Sequence, residues 1–240
     1  MEPFSRLPVR RVQEDAEAPM DRGVWPATVG AVRHILDCGL ELGPATVFVG
    51  ENGAGKSTIV EALAAAFGLN PEGGTHSALH TTRASESELV NHLQMVRGVG
   101  ASKRGVFLRA EAMHSHFTYL EEIRLGGLHE RSHGEAFLDY VEQRSRIAGF
   151  WVLDEPESAL SLSGCLALLD QLTQLVARGS QVVLSTHSPI LAALPGADLM
   201  EVGPWGLRQR SYDDLDLVRG WRMFLNEPHQ FLQMLGSSSS

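Results

Sequence analysis

Gly50-Glu51-Asn52-Gly53-Ala54-Gly55-Lys56-Ser57 fits the phosphate-binding pattern G-x-x-x-x-G-K-[ST]. Glycines let the backbone curl around an anion so that successive N–H groups point inward, and a helix starting there adds its positive dipole end. In this pattern Lys56 reaches the β- and γ-phosphates and the Ser57 hydroxyl ligates Mg²⁺. Glu51, Asn52, Gly53, Ala54, Gly55 and Thr58 complete the candidate ATP-binding set. The alternative is a glycine-rich turn that merely joins two elements; a lysine and a hydroxyl at the two required positions argue against it. Further on, Trp151-Val152-Leu153-Asp154-Glu155-Pro156 puts two carboxylates directly after an apolar run. There Asp154 can hold Mg²⁺ and Glu155 can polarise an attacking water, whereas an ordinary acidic turn would explain the same residues without chemistry. His187 follows a third apolar run, within Ser185-Thr186-His187-Ser188-Pro189. Most histidines are surface or satisfied core residues, but this one falls where phosphate groups should gather.

These groups need strands and helices to aim them. Ala45 to Val49 is a β-prone run before the glycine loop, and Ser57 to Phe67 carries Ile59, Val60, Leu63 and Phe67 at helical spacing, so the order is strand, loop, helix. Gly105 to Leu108, Phe150 to Leu153 and Val182 to Leu184 are short apolar runs expected as buried strands. Helices are expected over Glu86 to Val96, Ser115 to Leu125, Ala136 to Ala148 and Leu162 to Arg178, with a surface loop from Gly68 to Glu86. Such alternation predicts an α/β fold, a largely parallel sheet with flanking helices and a short helical insertion. No heptad pattern or internal repeat is present.

With 240 residues, 43% of them hydrophobic and 20% charged, the chain can bury one substantial core. Residues 1 to 24 are expected as an extended arm or irregular edge strand, 25 to 235 as the main domain, and 236 to 240 as a disordered Gly-Ser tail. The formal net charge of −9 argues against a globally basic nucleic-acid binder while leaving room for a local basic groove. Arg97, Lys103, Arg104 and Arg109 could form one, or could be a solvated charged loop. Cys38 and Cys165 lack metal or disulfide spacing. No apolar stretch approaches a membrane span, and a cytoplasmic chain is expected.

The glycine loop followed by an apolar strand ending in Asp-Glu-Pro resembles the P-loop NTPases of the ABC type, and the resemblance implies their fold. Glu157-Ser158-Ala159-Leu160-Ser161 resembles the D-loop, which in that family crosses a dimer interface, and Ser185 to Pro189 resembles the H-loop, implying a γ-phosphate contact for His187. Ser132-His133-Gly134-Glu135 stands where the signature motif should open a helix; it is a degenerate match, and a capping box between Ser132 and Glu135 explains the same residues. The two readings are compatible, because a capped helix start offers N–H groups to a phosphate. Ser132 and Gly134 are therefore candidate contacts to ATP held by a second copy, and the resemblance implies a homodimer that closes on Mg-ATP and opens on hydrolysis. Two features depart from the family. Arg109-Ala110-Glu111 replaces the expected Q-loop glutamine, and the adenine-stacking aromatic is hard to place, Trp25 fitting that role or a core position equally. The segment from Met113 to Arg131 is too short for a transporter's helical subdomain. The overall pattern over most of residues 25 to 235 looks most like small stand-alone bacterial AAA/ABC ATPases, distant relatives of the SMC and recombination-repair ATPases. A nucleic-acid or protein partner in repair or defence is expected; the alternatives are a nucleotide-gated switch with negligible turnover and a transporter ATPase subunit.

Overall fold

The computed structural model describes residues 6–69, 88–109, 133–146 and 148–237. Two sheets organise them. The larger has six strands in the order β5-β6-β7-β3-β8-β9: β3 (Ala45–Gly50), β5 (Gly105–Arg109), β6 (Phe150–Asp154), β7 (Gln181–Thr186), β8 (Asp198–Gly203) and β9 (Gly206–Arg210). All neighbours run parallel except the β8–β9 hairpin. The α/β, largely parallel architecture expected from the alternation is the one present.

The sheet's centre explains its apolar runs. All five residues of β6 and all six of β7 are buried, so both faces must be covered. Phe150 and Val152 enter one core with Phe48, Ile59 and Leu63, while Trp151 and Leu153 enter the other with Val47 and Leu168. The first face carries α1 (Gly30–Cys38) and α2 (Lys56–Phe67); the second carries α3 (His133–Arg144) and α4 (Leu162–Ala177). Ser161 caps α4 by accepting the Gly164 N–H at 3.2 Å. Each fully buried Leu, Val or Phe contributes roughly 1.5–3 kcal/mol, so this double layer dominates stability.

The smaller sheet is antiparallel, with β1 (Arg11–Glu14) between β2 (Leu40–Glu41) and β4 (Leu93–Val96). Residues expected as an arm or edge strand thus supply a central strand, with Val9 and Val12 wholly buried. Gln181 ties this segment to the main sheet. Its side-chain oxygen accepts the Val9 N–H at 2.8 Å, and its amide donates to the oxygens of Val9 at 2.6 Å and Gly43 at 2.9 Å.

The helix expected over Glu86 to Val96 is corrected. A 3-10 turn occupies Glu88–His92, and Leu93–Val96 is β4, whose alternating half-buried and exposed residues match a strand period. The α3 helix starts at His133 and ends at Arg144, earlier at both ends than its periodicity predicts. Chain-terminal α5 (Asp216–Asn226) and α6 (Pro228–Ser237) leave Trp221 and Leu225 exposed. The loop expected at Gly68 to Glu86 and the helix at Ser115 to Leu125 lie largely or wholly outside the described residues.

Candidate functional site

Parallel strands bring their C-terminal ends to one edge, and there the candidate groups meet. Register sets Val49 beside Thr186, and Asp154 beside both Ser185 and Arg109. The glycine loop, the acidic pair and the histidine loop therefore leave the sheet side by side.

Gly55 ends the glycine loop at φ 103°, in the left-handed region, and a Cβ there would come within 2.6 Å of Val29 Cγ1. Only glycine suits both constraints. Lys56 then opens α2 with its side chain almost wholly buried, at 3% exposure. Its Nζ donates to the oxygens of Gly50 at 2.9 Å and Glu51 at 3.1 Å, and lies 2.8 Å from His187 Nε2 and 3.8 Å from Glu155 Oε1. Burial pulls the Lys56 ammonium below the ordinary lysine range; Glu155, Asp154, Glu157 and Glu51 act in the opposite direction. Glu51, Asn52 and Gly53 are exposed along the rim, Ala54 and Gly55 are half-buried, and so are Ser57 and Thr58 on the first turn of α2.

Asp154 is buried at the end of β6. Its Oδ1 accepts the Ser185 hydroxyl at 2.5 Å and the Ser57 hydroxyl at 3.1 Å. Burial pushes this carboxyl above the usual range, and the two hydroxyls with Arg109 offset part of that push. Glu155 turns sharply away in the left-handed region, at φ 47°, which costs a non-glycine residue of order 1 kcal/mol. Its N–H donates to the Ser185 carbonyl at 3.1 Å, which helps hold the turn. The turn carries Oε1 to 3.2 Å from His187 Nε2.

Ser57 and Asp154 fit a Mg²⁺ site. A hydroxyl and a carboxylate already 3.1 Å apart beside a phosphate cradle are the protein's usual share of such a site, the remaining ligands being phosphate oxygens and water. Among the described residues no group of three or more His, Cys, Asp or Glu side chains could hold a metal by itself.

Thus Lys56, Ser57, Asp154, Glu155 and His187 come together. Gly134 packs elsewhere, in the first turn of α3, where a Cβ would approach the Ala159 carbonyl to 3.1 Å. Beside it runs a groove of about 480 Å³ lined by Gly134, Glu135, Leu138, Leu160 and Ser161. Ser132 and Glu111 lie outside the described residues. The core position considered for Trp25 is corrected, because its side chain is 60% exposed, four residues before the Val29 that touches Gly55. Two of the four basic residues weighed for nucleic acid have internal partners. Arg97 stacks on Phe67 at 4.2 Å, and Arg109 pairs with Glu61 at 2.8 Å and approaches Asp154 at 3.6 Å. Lys103 and Arg104 are exposed.

Sequence reasoning missed Ser185 as an anchor for Asp154 and Glu157 as a partner of His187. Each opens a motif legible in the sequence, but neither motif assigns it that contact; only the β6–β7 register could have indicated Ser185.

A glycine cradle at one strand end, with a serine–aspartate pair and a glutamate–histidine pair on the neighbouring ends, defines a P-loop nucleotide-binding protein. A family profile described as an AAA domain matches residues 36–101. The chain is 26% identical over 173 residues to a cytochrome c biogenesis ATP-binding export protein, CcmA, of Nitrobacter hamburgensis, covering 65% of this chain and 84% of that protein. It is 29% identical over 174 residues to the CcmA of Rhodospirillum rubrum, covering 66% and 73% respectively. The SMC head domain from Thermotoga maritima superposes with a TM-score of 0.46 at 14% identity, over 85% of this chain and 100% of that one. By its motifs the chain is a P-loop protein, and it is similar to ATP-binding proteins of the ABC type.

Proposed function

We propose that this protein binds Mg-ATP at the Lys56 cradle and hydrolyses it within a homodimer, coupling turnover to a macromolecular partner. What carries the reading is the convergence of Lys56 Nζ, His187 Nε2 and Glu155 Oε1 within 2.8–3.8 Å of one another, beside the Ser57–Asp154 pair. Lys56 neutralises the β- and γ-phosphate oxygens, and nucleotide relieves the cost of its burial by supplying anions. Mg²⁺, held by Ser57 and Asp154, would supply charge neutralisation between the phosphates. Glu155 accepts a proton from the water that attacks the γ-phosphorus, the bond to the β-phosphate oxygen breaks, and ADP leaves with phosphate. His187, with Nε2 facing the same space, donates to a γ-phosphate oxygen. The exposed Trp25 is the candidate base contact.

Gly134 stands apart from this cradle, in the first turn of α3, so the reading assigns it, together with Ser132 of the same sequence motif, to ATP held by the second copy. Glu155→Gln should bind Mg-ATP while hydrolysis falls by about 10²-fold or more, consistent with loss of a general base. Light scattering should then show the 26.1 kDa chain doubling in mass on adding Mg-ATP. Wild-type turnover in that variant would remove Glu155 from the role of base.

A transporter ATPase subunit is the second reading, favoured by the names of the CcmA relatives. No helix among the described residues is long and apolar enough to cross a membrane. Affinity purification from detergent-solubilised membranes distinguishes the two, since a stoichiometric membrane protein would support the transporter. If the macromolecule is nucleic acid, the exposed Lys103 and Arg104 are the candidate phosphate contacts, against the alternative of a solvated charged loop; filter binding to single- and double-stranded DNA across a salt series separates the two.

A further inference from the structure

Glu157 lies two residues beyond the candidate base, in the 3-10 turn Pro156–Ala159. Its carboxylate turns inward instead of into water. Oε1 accepts the backbone N–H of His187, and Oε2 is buried without a well-aligned partner. Burial raises this carboxyl above its usual range, opposed by the His187 N–H and the Thr186 hydroxyl. The residue it holds is the one whose imidazole stands 2.8 Å from Lys56 Nζ and 3.2 Å from Glu155 Oε1. At its other end the same turn meets Gly134, whose Cβ position is 3.1 Å from the Ala159 carbonyl. Within the turn, Leu160 N–H donates to the Glu157 carbonyl at 2.9 Å. Contacts therefore run without a gap from the start of α3 to the histidine.

We infer that Glu157 is a positioning residue, whose carboxylate fixes the His187 backbone and links the turn facing Gly134 to the imidazole at the phosphate site. The inference rests on the ATPase reading for its catalytic consequence, though the bond itself exists without nucleotide. A residue that served only to shape the turn could leave its charge in water; this one bears a desolvation cost and spans two loops. When a second copy docks against α3 and the turn, displacement of Glu157 carries His187 with it. The imidazole thereby registers whether the partner is present.

Glu157→Ala and Glu157→Gln, alone and in a His187→Ala background, test this with two readouts: NMR hydrogen exchange of the His187 amide in nucleotide-free protein, and steady-state phosphate release. Glu157→Ala should speed exchange of that amide about ten-fold and lower kcat about ten-fold with KM unchanged, the effect of losing one charge-assisted hydrogen bond. Glu157→Gln keeps an oxygen acceptor and should restore amide protection and most of kcat. In the His187→Ala background, Glu157→Ala should cost nothing further. Unchanged amide exchange in Glu157→Ala, or losses from the two alanines that multiply, would overturn the inference. If Glu157→Ala fails to fold, Glu157→Gln still decides: its His187 amide proton should move upfield as the charged acceptor is lost, and a fixed resonance overturns the assignment. A wild-type chain that binds Mg-ATP without hydrolysing it would end the ATPase reading yet leave the amide test intact.

Discussion

Lys56, Asp154 and Glu157 are ionisable groups with little access to water, and burial moves each toward its neutral form. Such a cluster is costly to fold and useful to a ligand, because a polyanion with its metal satisfies charges that the protein alone leaves poorly solvated. For Glu157 the consequence is measurable. Its folded value is raised, so the folded chain holds that proton more tightly than the unfolded chain does. The contribution is fully present below the ordinary carboxylate value of 4.5 and is lost as pH rises through the raised one. Asp154 acts in the same direction, and Glu14, drawn down chiefly by its bond to Arg22, in the opposite one. The comparison must therefore be wild type against Glu157→Gln. Melting temperatures followed upward from pH 4.5 should fall further in wild type than in the variant, at about 2–4 °C for each kcal/mol of lost stability. Parallel curves would show that Glu157 does not titrate differently on folding.

Elements differ in how plainly their residues declare them. The strands of the main sheet's middle were legible because burial on both faces demands unbroken apolar runs, as in Phe150 to Leu153. The cradle was legible because phosphate chemistry fixes residue types at fixed spacing. Segment Glu88–Val96 was not. Leu89, Leu93 and Met95 suit a helix or a strand, and only pairing with β1, far away in sequence, selects the strand. The β1 sequence Arg-Val-Gln-Glu has one buried residue, and the N-cap position of α1 is held by Val29, which offers no side-chain cap, so neither announces itself. What binds β1's segment to the main sheet is equally hidden, since Gln181 reads as one polar residue before an apolar strand. Replacing it by leucine removes three hydrogen bonds and strands the Val9 N–H and oxygen in a buried setting. Gln181→Leu should cost about 2–4 kcal/mol, lowering the melting temperature by roughly 5–15 °C. A loss under a degree would mean that the small sheet is held by its apolar contacts alone.

At the scale of the molecule, a formal charge of −9 on each copy sets the terms on which two copies can meet. Each copy repels the other, and the proposed ATP sandwich adds four further phosphate charges per site only partly offset by Mg²⁺. Association then depends on short-range contacts around the start of α3 and the Pro156–Ala159 turn, against a longer-range repulsion that salt removes. The Debye length falls from about 30 Å at 0.01 M to about 8 Å at 0.15 M, so dimerisation should strengthen over that range. Linkage makes this visible in melting. Nucleotide at about 100 times its Kd adds about 2.7 kcal/mol to a monomer that binds it alone, a rise of roughly 5–10 °C whatever the protein concentration. If the nucleotide instead joins two copies, the melting temperature of Glu155→Gln in Mg-ATP should climb with protein concentration, and climb more at 0.15 M salt than at 0.01 M. Without nucleotide it should not depend on concentration. A Mg-ATP melting point equally indifferent to protein concentration would leave a single chain as the complete nucleotide site and remove the second copy from the mechanism.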